Sequence, residues 1–139
     1  MNETVQRGGI FASPAMTMAQ VLRCAAFGAA LWFIAALLIA RLQPLGVLDL
    51  PNLALTYAAI IPGTLPTVYL MRWIGGLGSD QTAMGMMVGT AVATMLDGTA
   101  LRWFPSLYGA DAAAAGAVIL WGAGAGLVLG LILNKAARG

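Results

Sequence analysis

The run Asp111–Lys135, DAAAAGAVILWGAGAGLVLGLILNK, places an acid and a base at the two ends of a long segment without a charge. An α-helix rises about 1.5 Å per residue, so this segment is long enough to cross a hydrocarbon core about 30 Å thick. Three more apolar windows precede it, between Arg23 and Arg41, between Asp49 and Arg72, and between Asp80 and Arg102, and only the last contains a charge, Asp97. They predict membrane spans over about 21–42, 52–72, 81–103 and 112–134. The expected fold is all-α, an integral membrane bundle of four transmembrane helices forming one domain over 1–139, with 1–20 as a cytoplasmic or interfacial segment.

Composition points the same way. The 139 residues are 60% hydrophobic and 9% charged, against roughly 25% charged in soluble domains. The formal net charge of +2 is too small and too dispersed for a nucleic-acid surface, so the expected partner is the lipid bilayer. There is no His and a single cysteine, Cys24, which excludes disulfides within the chain and His-based catalysis, zinc binding or haem ligation. Cys24 reads as a small buried hydrophobe. Ser13, Ser79 and Ser106 fall at caps or loops with no base to activate them, so no enzyme, cofactor or metal is expected. Met84, Met86, Met87 and Met95 gather on the third span. They read as gap-fillers in the absence of nearby Cys or His.

The boundaries carry their own signals. Ser13-Pro14 reads as a cap and first turn for helix 1, Pro44 and Gly46 as its stop, and Pro51 as the opening of helix 2. Ser79-Asp80 is expected to open helix 3 and Asp111 helix 4, with Gly75, Gly76 and Gly78 in the second loop. A cleavable signal peptide is not expected, because the first apolar run starts late and no small-x-small site follows before Arg41. Arg7, Arg23, Arg72, Lys135 and Arg138 fall on one side of the spans and only Arg41 and Arg102 on the other. The positive-inside rule then puts both termini in the cytoplasm. Trp32, Trp73, Trp103, Tyr69, Tyr108 and Phe104 are placed as an interfacial aromatic belt, and Tyr57 and Trp121 as interior packing.

Three features are candidates for function. Gly122, Gly126 and Gly130 repeat at steps of four on helix 4, echoed by Gly85 and Gly89 on helix 3. Such faces let another backbone approach closely, in the same chain, in a second copy or in a partner membrane protein. The close-packed centre is expected at helices 3 and 4. Pro62 and Pro66 stand four apart in helix 2 and should kink or unwind it, leaving carbonyls for Thr64, Thr67, water or a neighbour. Asp97 is the lone charge inside a span, about 6 Å from its outer end. Thr90 and Thr94 share its face, and Arg41 is the preferred counter-charge over Arg102, which points about 140° away around the helix.

The segment Leu96-Asp97-Gly98-Thr99-Ala100-Leu101-Arg102-Trp103-Phe104-Pro105-Ser106-Leu107-Tyr108-Gly109 resembles a stretch of small bacterial four-span proteins grouped under a domain of unknown function. The resemblance implies a bacterial inner membrane as the location, and no activity, substrate or cofactor. Small multidrug exporters are similar in span number but rely on an acid in the first helix, where this chain has none between Arg23 and Arg41. Fluoride channels are similar in size, but their polar central-helix motifs have no counterpart here. Two function classes are expected: a non-enzymatic protein of helix association, or a small transporter or channel for protons, cations or a small solute using Asp97 and helix 2.

The charge asymmetry fixes a test. A reporter fused near Gly139 should be active only if it is one that works in the cytoplasm. Activity of a periplasm-dependent reporter there would overturn the orientation or the even number of spans.

Overall fold

The computed structural model describes residues 14–135. Ser13, Arg7, Arg138 and the interfacial reading of residues 1–13 lie outside the described residues. Four helices account for most of the described residues: α1 Met18–Leu42, α2 Leu50–Gly75, α3 Thr82–Trp103 and α4 Ala112–Leu133. Each is long and apolar enough to cross a membrane. Short 3-10 turns at Gln43–Leu45 and Pro105–Tyr108 complete the α1–α2 and α3–α4 connections.

The helix starts differ from the sequence signals in two places. α1 begins after Thr17, not at Ser13-Pro14: the Thr17 hydroxyl accepts from the Gln20 amide at 3.2 Å, and the Gln20 side chain accepts from the Thr17 amide at 2.9 Å. This reciprocal capping box satisfies two of the four amides that any helix start leaves open. α3 begins at Thr82, past Ser79-Asp80, and Asn134 at the end of α4 accepts from the Ala83 amide at 3.0 Å. The cap of one helix is thus supplied by another. Asp111 caps α4 as its sequence position implies, accepting from the Ala114 amide at 2.9 Å. Gly46 and Gly76 adopt left-handed φ values of 70° and 62°, the conformation that terminates helices and that side chains with a Cβ resist.

The packing centre is α3, not the α3–α4 pair. α3 meets all three other helices, most extensively α1, whereas α4 packs on α3 and α2 and scarcely meets α1. Glycine makes the α1–α3 contact possible. A Cβ on Gly28 would collide with the backbone of Gly89, and one on Gly89 would collide with the Met71 methyl. Gly85 lies against Leu77 in the same way. On α4, a Cβ at Gly130 would lie 2.9 Å from Met86 and one at Gly126 3.2 Å from it, while Gly122 has ordinary clearance, 3.7 Å from Ile60. The tight part of this ridge therefore faces α3 within the chain.

Two apolar layers result. One holds Cys24, Val68, Met71 and Met86; the other, at the opposite end, holds Ala36, Ile39, Ala100, Tyr108, Ala115 and Val118. Most large aliphatic side chains elsewhere on the helices point outward, including Leu22, Leu55, Leu120, Leu131 and Ile132. An outward apolar surface of this extent suits a lipid solvent.

Close packing at one glycine and open space at another give a paired expectation. Gly28→Leu should lower stability in detergent by about 3 kcal/mol or prevent folding, because its Cβ would meet the Gly89 backbone, which cannot give way as a flexible side chain can. Gly98→Leu, where a Cβ meets nothing within 4 Å, should leave the thermal midpoint within a degree or two. Equal tolerance at both positions would show that the α1–α3 contact is not close.

Candidate intramembrane polar site

Asp97 lies nearly two turns before the end of α3 on its inward face, 8% exposed. Its carboxylate does not meet Arg41. Tyr108, fully buried in the 105–108 turn, donates its hydroxyl proton to Asp97 Oδ1 at 2.6 Å. The indole of Trp32 on α1 donates to the same hydroxyl oxygen at 2.9 Å. Indole nitrogen is a donor only, so the Tyr108 oxygen accepts from Trp32 and its own proton is directed to Asp97. The chain of hydrogen bonds has one direction and joins α1, the α3–α4 connection and α3.

Arg41 and Arg102 are both exposed. Thr94 turns its hydroxyl back into α3, bonding the carbonyls of Thr90 at 2.8 Å and Ala91 at 3.1 Å. This back-bonding is the usual resort of threonine in an apolar helix. Of the five residues grouped by sequence, only Asp97 enters the site. Trp32 and Tyr108, placed by sequence in the interfacial belt, are the partners instead. Tyr57 and Trp121 stack at 5.1 Å between ring centroids, and Trp121 donates to the Tyr57 carbonyl at 3.0 Å. Tyr57 packs against the buried apolar cluster, as its interior reading implies, whereas Trp121 stays 43% exposed on the outer surface.

The proline segment stays within an unbroken helix. α2 runs through Pro62 and Pro66 without unwinding, and both prolines lie on its exposed side. Proline leaves the carbonyl four residues earlier without its amide donor, here Ala58 and Pro62. The nearby hydroxyls go elsewhere: Thr64 donates to Ile60 at 2.7 Å and Thr67 to Thr64 at 2.6 Å. Pro62 and Pro66 lie on the exposed side of α2, whereas Asp97 faces inward from α3. An open depression of about 380 Å³ lies at the Asp97 end, but it is lined by loop residues such as Gln43, Asp49, Gly109 and Asp111.

The connection carrying Tyr108 is itself clamped. Gln43 donates to the Asp111 carbonyl at 2.7 Å and accepts from the Asp111 amide at 3.0 Å. Gly109, at φ 100°, leaves the room that the Gln43 amide occupies. Among the described residues every buried side-chain nitrogen and oxygen has a hydrogen-bond partner, and no cluster of metal-ligating side chains occurs.

These features define a membrane-type helical bundle with one closed polar site. Comparison with known proteins finds no matching family model, no matching curated protein and no matching solved structure.

Burial pushes the Tyr108 phenol above its ordinary value of 10.0 to about 12, with the hydrogen bond to the Asp97 carboxylate adding to the rise and Trp32 opposing it. The folded chain therefore holds this proton more tightly than the unfolded chain. That contribution to stability is fully present below about pH 10 and is lost as the pH climbs through 12. Tyr108→Phe should remove the late step from a tyrosinate absorbance titration and destabilise by about 2 kcal/mol, because Asp97 and Trp32 lose their common partner. An unchanged titration curve would place the phenol in water.

Proposed function

We propose that this chain is a non-enzymatic, multi-pass protein of a bacterial inner membrane whose task is association, with copies of itself or as an accessory subunit of another membrane protein. The observation that carries this reading is the closed state of its one intramembrane acid. A transport site needs a group that exchanges protons or ions with a hydrated path. Asp97 is instead engaged by Tyr108, which is engaged by Trp32, and this arrangement fixes the position of a loop. The reading gains support from small residues facing outward, since a Cβ placed on Gly63, Gly98 or Gly124 would meet nothing within 4 Å. Three helices are thereby left accessible to a neighbouring backbone.

Asp97→Asn separates this reading from the transporter. The amide keeps an acceptor for Tyr108 but cannot ionise. In proteoliposomes the wild type should pass protons and cations no faster than empty vesicles, and Asp97→Asn should leave that baseline unchanged. Asp97→Leu should lower the thermal midpoint more than Asp97→Asn does, by leaving the Tyr108 hydroxyl without an acceptor. A wild-type flux abolished in a well-folded Asp97→Asn variant would transfer the assignment to a proton- or cation-conducting protein.

A further inference from the structure

The end of the bundle opposite Asp97 has a different electrostatic character. The α2–α3 connection, residues 76–81, is closed by neutral groups. Gln20 donates to the Gly76 carbonyl at 2.8 Å and to the Gln81 side chain at 3.2 Å, and Gln81 accepts from the Gly78 amide at 3.0 Å. The Ser79 carbonyl accepts from the Lys135 amide at 2.9 Å and from the Thr82 hydroxyl at 3.1 Å. Amides and hydroxyls thus satisfy the loop, and no cationic side chain is needed to hold it.

Three cationic residues nevertheless adjoin it. Arg72 lies in the last turn of α2, and its carbonyl takes the Leu77 amide at 2.9 Å. Arg23, on α1, brings its guanidinium to within 3.4 Å of where a Gly76 Cβ would stand. Lys135 is tied to the loop through its backbone. Asp80 is the one described acid at this end, whereas at the other end Arg41 and Arg102 are outnumbered by Asp49, Asp97 and Asp111. Next to Arg72, Trp73 projects from α2 with 80% of its surface exposed. An exposed indole at a span end is the side chain that settles at the headgroup layer, and guanidiniums bind phosphate through paired N–H donors.

Resting on the membrane-spanning reading, we propose that Arg23 and Arg72, with Lys135 alongside, form a binding site for the headgroup of an anionic phospholipid, whose acyl chains lie against the exposed face of α2 beside Trp73. The site takes its phosphate at the bilayer surface, where lipid is concentrated and the indole supplies an apolar wall.

The purified full chain in neutral detergent tests this, with thermal midpoints measured after adding phosphatidylglycerol, phosphatidylcholine or inorganic phosphate. Phosphatidylglycerol should raise the midpoint by roughly 5 °C more than phosphatidylcholine, and inorganic phosphate should not reproduce the rise. The double variant Arg23→Gln, Arg72→Gln should lose most of the difference, while Arg41→Gln with Arg102→Gln at the other end should keep it. Equal effects of the two lipids, reproduction by phosphate, or loss in both double variants alike would overturn the proposal. Should the first double variant fail to fold, the wild-type difference must shrink in about 0.5 M salt, where the screening length is roughly half that at physiological strength; persistence would overturn it. Resistance of the membrane-bound chain to alkaline carbonate extraction tests the spanning reading separately, so its failure is distinguishable from failure of the lipid site.

Discussion

A carboxylate removed from water needs donors within hydrogen-bond reach, and in an apolar bundle it must draw them from its own chain. Asp97 draws its donor from the connection that follows its helix. That requirement determines the path of residues 104–111, because the Tyr108 ring must turn inward to reach the carboxylate and Trp32 must lie within reach of it on α1. The same ring then fills the apolar layer of Ala36, Ile39, Ala100, Ala115 and Val118. A polar contact and a packing contact are made by one side chain, so neither can be altered without the other. The Gln43–Asp111 clamp fixes the rest of the connection and hands the chain to α4 with its N-terminus already capped.

Glycine supplies the second constraint. Helices in lipid gain little from burying apolar surface against one another, so close backbone approach and the dispersion it permits must hold them together. Gly28 against Gly89 brings α1 and α3 into backbone contact, and Gly126 and Gly130 admit Met86 from α3. These contacts make α3 the axis of the bundle. α2 buries Val68, Met71 and Gly75 near its C-terminal end, Met71 reaching Gly89 of α3, while Pro62 and Pro66 stay on its exposed side, where a helix can lose two hydrogen bonds to the outside.

The two ends of the molecule solve the problem of the membrane surface differently. At one end neutral amides from Gln20, Gln81 and Asn134 tie the ends of all four helices together, with Arg23, Arg72 and Lys135 at the same end. At the other end acids outnumber bases, and the fold is secured by the buried tyrosine that holds Asp97. The α2–α3 connection at the first end is held by neutral groups, with the surface charge left out of its hydrogen bonding.

The four helices and their all-α character were legible in the sequence because uncharged length against bilayer thickness is a one-dimensional property, and windows such as Asp111–Lys135 state it directly. Asp111 as a cap and Gly46 as a helix stop were legible for a similar reason, since each acts on residues three or four away. The partners of Asp97 were not. Tyr108 is reached across a helix end and Trp32 from another helix, where neither helical spacing nor charge complementarity applies, and opposite charge alone points to Arg41. A tyrosine between Pro105 and Gly109, close after a span with a lone acid, was the one local signal, but its position equally suited an interfacial belt. Asn134 as the cap of α3 was likewise invisible, for it lies 51 residues from the amide it serves. Local rules determined where the chain crosses and where it turns; only the tertiary structure decided which polar groups meet, because a buried group is satisfied by whatever donor the packing brings to it.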